Sequence, residues 1–303
     1  MPTMPNMIIL IIRYGMCILA GDKHQMSITV TPLSDALGAA ITGVDLSKEL
    51  DCEVVSAIKQ AWIDNIIIVF PGQQITDDEQ ERFCRYFGEL ELVRTTSSID
   101  QSHPSIMMIT NVKDSGKPTA LEDGEMMFHY DQCYYEKPSM GSSLYAMEVP
   151  DEGGNTLFSN CIKAYEALPE DWKLRLTGLK ALNYYDYAGN ATLRPDQVNP
   201  GVPQWSHPVL RKHPETGRTA IYVNRLMSML IEGLPPAESD EILEYLFDHI
   251  EKPEFIYEHV WTIGDLMMWD NRCSVHARTY FPPNKRRMMR RVTVRDSMPV
   301  AAA

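Results

Sequence analysis

The sequence predicts a mainly β fold with helical additions: a double-stranded β-helix (jelly roll) core with N-terminal helices and inserted lid loops. Three observations lead there. Short apolar or alternating runs bounded by Gly, Pro, Asn and Asp recur through the central and distal stretches, as strands do. Helical periodicity is confined mostly to the N-terminal part and a few insertions, which excludes a regular alternation of strand and helix. The chain has 303 residues, 44% of them hydrophobic, enough to bury one large core, and it shows no internal repeat.

Residues 1–25 read as an extension outside the domain, and 26–303 as a single domain opening at Met26. The apolar runs Met7 to Ile12 and Met16 to Ala20 are broken by Arg13, and neither can cross a bilayer. Ser27 to Thr31 and Ala39 to Val44 are strands by alternation. Asp51 caps a helix through Asp64, whose apolar positions include Val54, Val55, Ile58 and Trp62 at helical spacing. Ile66 to Phe70 is a buried strand. Thr76 and Glu79 form a capping box that opens a helix running to Tyr86 or Phe87.

Ser105 to Asn111 is the next strand. The polar stretch Val112 to Glu125, with Gly116, Pro118 and Gly124, reads either as a lid or as an ordinary surface loop. Strands follow at Gly141 to Met147 and at Asn155 to Phe158, then helices at Ala164 to Leu168 and Glu170 to Thr177. Asp186 to Trp205, rich in Asn, Pro and Gly, is a long connection. His207 to Arg211 and Thr219 to Val223 flank a hairpin turn at Pro214 to Arg218, and Glu238 to Ile250 is an acidic amphipathic helix.

A net charge of −13 argues against nucleic acid and against an anionic membrane surface as partners. It leaves room for an anionic small molecule, because six basic residues lie between Arg278 and Arg291. The cysteines Cys17, Cys52, Cys84, Cys133, Cys161 and Cys273 form no C-x-x-C pair, so neither a zinc site nor a disulfide framework is indicated and a cytoplasmic setting is expected. His103, His207, His213, His249 and His259 lack partners at ligand spacing and read as surface or structural histidines.

Two stretches carry chemistry. In Gly124-Glu125-Met126-Met127-Phe128-His129-Tyr130-Asp131, an extended strand would put the imidazole of His129 and the carboxylate of Asp131 on one face. A pair this short is weak by itself. Far along the chain, Gly264 to Arg272 combines a turn with an apolar run read as a buried strand. His276 follows, and then a last strand through Arg286, Arg287, Arg290 and Arg291. Two histidines and one carboxylate with open positions suit non-heme Fe(II). On an extended last strand Arg287 and Arg291 share a face, while Arg286 and Arg290 take the other and are expected in surface salt bridges.

These motifs, with Leu37 to Leu46, Phe87-Gly88-Glu89-Leu90, Gly153-Gly154-Asn155-Thr156 and Trp269-Asp270-Asn271-Arg272, resemble the taurine and phenoxyacetate dioxygenase family of Fe(II)/2-oxoglutarate-dependent oxygenases from about Met26 to Asp296. The resemblance implies that His129, Asp131 and His276 hold Fe(II), that Thr156 and Arg287 bind 2-oxoglutarate, and that Arg291 helps to hold an anionic substrate. It implies O2 as the second co-substrate, succinate and carbon dioxide as products, and a homo-oligomer. The substrate would be a small organic acid, carboxylate or sulfonate, hydroxylated at a C–H bond and cleaved where that carbon bears a heteroatom leaving group.

Two substrate positions depart from the taurine pattern. Val93 stands where a histidine is expected and Glu125 where an asparagine is. With Met126, Met127, Tyr134 and Tyr135 nearby, these point to a larger or more apolar acid. Two other readings of the residues stay open. A catalytically silent relative would bind a small acid without needing His129, Asp131, His276 and Arg287 together. A zinc hydrolase could use the same three ligands but gives no role to Arg287 or Thr156.

Overall fold

The computed structural model describes residues 28–93, 102–113, 126–185 and 201–303, and its first elements follow their local signals closely. β1 (Thr29–Pro32) and β2 (Ala39–Thr42) pair antiparallel. The Asp51 carboxylate accepts the Val54 amide at 2.8 Å and starts α1 (Cys52–Asn65), which buries Val54, Ile58, Ala61 and Trp62. Ile66, expected to open a strand, instead terminates the helix at φ 68°. β3 (Ile67–Phe70) follows, buried on both faces. α2 (Asp77–Arg85) has the predicted reciprocal cap: the Thr76 amide donates to Glu79 Oε2 at 2.7 Å and the Glu79 amide to Thr76 Oγ1 at 3.3 Å.

The middle of the chain holds β4 (Ile106–Thr110), β5 (Ser139–Glu148), β6 (Thr156–Asn160), α3 (Cys161–Glu166), α4 (Glu170–Leu176) and β7 (Lys180–Tyr184). β8 (Gln204–Pro208), β9 (Leu210–Lys212), β10 (Thr219–Ile221), β11 (Ser228–Ile231) and α5 (Pro236–Ile250) come next. β12 (Ile256–His259), β13 (Leu266–Asp270), β14 (Ser274–Arg278), β15 (Met288–Arg295) and β16 (Ala301–Ala302) complete the order. The predicted hairpin is β9–β10. β7 and β11, which pair with each other, are strands that local sequence patterning did not reveal.

The largest sheet has seven strands in the order β1-β2-β3-β13-β5-β15-β4. Three-stranded sheets β12-β6-β14, β11-β7-β8 and β10-β9-β16 accompany it. This is a jelly-roll core with helical additions, as predicted. Strand alternation sorts its apolar residues into two clusters. Ile67, Val69, Leu144, Met267 and Trp269 point inward with Phe158 and Val275 of the opposing strip. Ile68, Phe70, Leu266, Met268, Val292 and Val294 point outward and are covered by Ile58 and Trp62 of α1 and Phe83 of α2. The strands β3, β13, β5 and β15 of the large sheet are therefore buried on both faces, while the edge strand β1 is exposed, and the inner face forms one wall of the site.

That second buried face corrects the expectation for Arg290. Arg290 does lie opposite Arg291, but it is buried: it pairs with Asp77 at the start of α2, donates to Gln80 Oε1 at 2.6 Å, and reaches the carbonyls of Ile75 and Thr76. The helix packed there supplies the carboxylate and carbonyls that allow a guanidinium to be buried. Arg286 forms the expected exposed salt bridge, with Glu148. The anticipated N-terminal extension, the body of the candidate lid and most of the long connection after Tyr185 lie outside the described residues.

Candidate active site

Each ligand position has its own local cause. His276 stands in the middle of β14, paired across to Phe158 of β6. His129 is fixed against it by a single antiparallel bridge, in which each amide donates to the other's carbonyl at 3.0 Å. The strand predicted for His129-x-Asp131 is thus limited to that bridge; at Asp131 the chain already turns, and Gln132 takes φ 59°. Convergence survives because the turn is clamped from a distance. Asn271 Oδ1 accepts the Asp131 amide at 2.7 Å, and Asn271 Nδ2 donates to the carbonyls of Asp131 at 2.8 Å and Ser139 at 3.0 Å.

The imidazole rings of His129 and His276 lie 4.2 Å apart between centroids, and His129 Nε2 is 3.9 Å from Asp131 Oδ1. One ligand atom from each of His129, Asp131 and His276 falls within 4.8 Å of the others, and all three residues are buried. His129 Nδ1 sits 2.9 Å from the Met127 carbonyl, a bond that makes Nδ1 the donor and leaves the Nε2 lone pair for a metal.

Charge in the site is set by burial and by neighbouring groups. Burial, followed by the adjacent His129, pushes the His276 pKa down to about 3, so the ring is neutral, the form that ligates. Burial alone would raise the Asp131 carboxyl. Arg291 foremost, then the two imidazoles and the Ser142 hydroxyl, hold it well below the usual carboxylate range. Ser142 Oγ donates to Asp131 Oδ2 at 2.8 Å, and Arg291 Nη1 to Oδ1 at 3.1 Å. Two imidazoles and one ionised carboxylate at this separation fit a divalent metal.

Beside the ligands opens a small cavity of about 50 Å³. Ile109, Leu144, Trp269 and Arg291 line it from the large sheet, and Thr156, His276 and Arg278 from the opposing strip, with Arg287 at the entry to β15. Thr156 Oγ1 accepts Trp261 Nε1 at 2.9 Å, which orients the hydroxyl and leaves its proton to donate. Arg287 is buried and is anchored by a 3.1 Å bond from Nε to the Gly154 carbonyl. Burial first and Arg278 second lower its pKa to about 9. Gly154, at φ 71°, permits this approach: a Cβ there would lie 2.8 Å from Pro150 Cγ and 3.3 Å from Arg287 Cδ.

Six of the residues singled out from sequence therefore surround one space: His129, Asp131, His276, Thr156, Arg287 and Arg291. Val93 does not line it; its side chain is buried and its amide donates to the Pro104 carbonyl at 2.8 Å. Glu125 lies outside the described residues. Sequence reasoning missed the clamping role of Asn271, the support from Ser142 and Trp261, and the cavity position of Arg278. Only Arg278 carried a local signal, standing two residues beyond His276 on the same strand. Among the described residues the other five histidines are structural: His207, His213 and His249 lie within hydrogen-bond distance of Tyr135 O, Asp270 Oδ2 and Ala164 O, His259 of the Tyr257 hydroxyl, and His103 faces Glu81.

The model of the "Taurine catabolism dioxygenase TauD, TfdA family" matches residues 29–293. The chain belongs to that family. It is 32% identical over 285 residues to the alpha-ketoglutarate-dependent 2,4-dichlorophenoxyacetate dioxygenase of Cupriavidus pinatubonensis, a match covering 89% of this chain and 99% of the relative. It is 34% identical over 269 residues to the (S)-phenoxypropionate/alpha-ketoglutarate-dioxygenase of Sphingobium herbicidovorans, covering 86% and 92%. Among solved structures, AAD-2 in complex with Mn(II) and N-oxalylglycine aligns with a TM-score of 0.78 and 26% identity over 91% of this chain and all of that one, 100%.

Proposed function

We propose that this member of the family, an Fe(II)- and 2-oxoglutarate-dependent dioxygenase, hydroxylates a small organic acid held through Arg291. The observation that carries the reading is one cavity lined by His129, His276, Thr156, Arg287 and Arg291, with the Asp131 carboxylate within 4.8 Å of both imidazoles. Fe(II) with 2-oxoglutarate and O2 supplies the oxidising power there, consuming the keto acid to succinate and carbon dioxide.

The chain's own residues bind, orient and shield. His129, Asp131 and His276 are the metal ligands in this reading, with Asn271 and Ser142 fixing the carboxylate. Arg287 offers a planar fork to the far carboxylate of 2-oxoglutarate, with the Thr156 hydroxyl as a further donor. Arg291 bonds Asp131 through Nη1, and its remaining N–H groups are available to a substrate carboxylate or sulfonate. Ile109, Leu144 and Trp269 give that space an apolar wall which excludes water and packs the carbon skeleton. The wall favours an acid with an aromatic or branched body, in line with the phenoxy acids named for the two relatives. We assign the protein a single domain over residues 26–303, a homo-oligomeric state and a cytoplasmic location on the family resemblance alone; the cysteines do not support it, because Cys52 is disulfide-bonded, against the expectation from sequence. Among the described residues no helix is long and apolar enough to cross a membrane.

The test is anaerobic titration with Fe(II) and 2-oxoglutarate, followed by the weak visible charge-transfer band of a chelated keto acid. The band should appear in the wild type, fade in Arg287→Ala and be absent in His276→Ala. Aryloxy acids, other carboxylates and sulfonates are then screened for band perturbation and, in air, for succinate formed in step with a hydroxylated or cleaved product. Metal and keto-acid binding that is no stronger in the wild type than in the two variants would sink the assignment.

A further inference from the structure

Asn271, Ser142 and Arg291 account for how Asp131 itself is held, but its neighbours in the turn are held by a different part of the chain. Tyr130, between the two ligands, is wholly buried and is not among the residues that line the cavity. Its hydroxyl donates to the Ile221 carbonyl at 2.6 Å, and its ring lies against that of Tyr222 with 4.3 Å between centroids. Asn224 Nδ2 donates to Cys133 Sγ at 3.4 Å. The end of β10 and the residues after it thus touch the turn on both sides of Asp131. Tyr222 is fixed in its own place: its amide donates to the Val209 carbonyl at 2.7 Å, and the Arg211 guanidinium stands 4.7 Å from its ring centroid. Arg211 pairs with Asp296 at 3.0 Å, both side chains buried, and lies in register opposite Ala302 of β16. Asp296 follows directly on β15, the strand that carries Arg291.

We propose that Tyr222 is a positioning residue for the metal centre: braced by the Arg211–Asp296 pair, its ring seats Tyr130 and so presets the convergence of His129 and Asp131. The inference rests on the reading that His129, Asp131 and His276 hold the metal.

The turn needs such support because its backbone does not supply it. His129 makes a single bridge to His276 rather than a ladder, and Gln132 takes the left-handed region at φ 59°, which a residue with a side chain keeps only where its surroundings over-determine the backbone. Packing around Tyr130 is what remains to fix the segment. A ligand pair left to find its geometry at each binding event loses affinity to that ordering, and groups one layer behind metal ligands commonly change metal affinity by about tenfold or more. A broad aromatic face suits the task, since two packed rings resist both sliding and tilting better than a flexible aliphatic chain does. The buried ion pair behind Tyr222 joins this support to the end of β15, so the strand that brings Arg291 to the Asp131 carboxylate also braces the turn through Asp296.

Titration with Mn(II), followed by the electron paramagnetic resonance signal of the free ion, reads affinity without turnover, and the line shape of the bound ion reads how uniformly its ligands are held. All proteins are compared well below their melting temperatures. Tyr222→Leu should weaken Mn(II) binding by about tenfold or more and broaden the bound-ion spectrum, whereas Tyr222→Phe, which keeps the ring, binds within about twofold of wild type. Tyr130→Phe, a milder change that loses only the bond to the Ile221 carbonyl, should weaken binding by about threefold. Arg211→Gln combined with Asp296→Asn removes both charges and leaves neither unpaired; it should weaken binding and add little to Tyr222→Leu, because both act through one ring. Ile58→Ala, in the outer cluster, lowers stability away from the turn and should leave affinity and line shape as in the wild type. Unchanged affinity and line shape in Tyr222→Leu and Tyr130→Phe overturn the inference, and so does an equal loss in Ile58→Ala, which would mean that any loosening of the fold weakens the centre. Full additivity of the paired charge variant with Tyr222→Leu overturns the bracing by Arg211 and Asp296. A wild type that binds Mn(II) no better than His276→Ala removes instead the reading of the metal centre on which the inference depends.

Discussion

Asn271 holds both backbone polar groups of Asp131, accepting its amide at 2.7 Å and donating to its carbonyl at 2.8 Å, although 140 residues separate them. The side chain is wholly buried, and its amide also reaches the Ser139 carbonyl and hydroxyl. This clamp gives the Asp131 turn a fixed address beside β13 and β14. Asn271→Ala should leave the buried Asp131 amide without its partner and cost on the order of 3 kcal/mol in urea unfolding. Metal affinity should fall further than stability alone predicts, by about tenfold or more. Titration of Mn(II) at a temperature where the variant is folded checks this; unchanged metal affinity would mean that the turn holds its shape without Asn271.

Ser142 separates support of the ligand from support of the fold. Its hydroxyl donates to Asp131 Oδ2 and lies 3.3 Å from Thr293 Oγ1. In Ser142→Ala the carboxylate keeps Arg291 but loses one donor. The expected stability loss is about 1 kcal/mol, accompanied by a several-fold weakening of metal binding. A valine at the same position would add bulk between β5 and β15 and should lower stability more than alanine does.

The two outward arginines give a second contrast. Arg290 is buried against Asp77, Gln80 and two carbonyls, whereas Arg286 is 52% exposed in its pair with Glu148. Arg290→Met removes one partner of the part-buried Asp77 and the donor to Gln80 Oε1 and to the Ile75 and Thr76 carbonyls, and should cost about 3 kcal/mol in denaturant unfolding. Arg286→Ala should stay within about 1 kcal/mol of wild type. Similar losses for the two would show that α2 opens readily enough to hydrate the Arg290 pair.

The contrast also shows where local sequence stops being informative. Period-2 alternation correctly separates Arg287 and Arg291 from Arg286 and Arg290, because that rule depends only on strand geometry. It says nothing about what covers the far face, and α2, some 210 residues earlier, decides that Arg290 is buried. The caps at Asp51 and Thr76 were legible since donor and acceptor lie three residues apart. β7 and β11 were not, because Lys180–Tyr184 and Ser228–Ile231 are short and find their partners across the chain, Asn183 opposite Ser228. Motif order singled out His129, Asp131 and His276, which the fold does bring together, yet the device that brings Asp131 round, a left-handed Gln132 and the Asn271 clamp, is tertiary. Val93 was singled out by motif order alone; its amide donates to the Pro104 carbonyl, and it is not among the residues that line the cavity.

His207 should make the fold sensitive to mild acid. It is buried, its Nε2 lies 2.8 Å from the Tyr135 carbonyl, and its ring stands edge-on to Tyr222. Burial, aided by nearby Arg211 and opposed by the Tyr135 carbonyl, lowers its pKa from 6.5 to about 4. A depressed folded-state value means that the unfolded chain binds the proton more readily. The contribution is therefore fully present above about pH 6.5 and is lost as pH falls through about 4. The total is on the order of 3 kcal/mol for this one ring. His276, also held neutral by burial, acts in the same direction from about pH 6.5 down to about 3, so the measurement is a difference. Urea midpoints of wild type and His207→Gln, which retains an N–H for the Tyr135 carbonyl, are followed from pH 7.5 to 4. Wild type should lose stability more steeply than the variant over the interval below pH 6.5; parallel curves would mean that His207 becomes protonated in the folded state without cost.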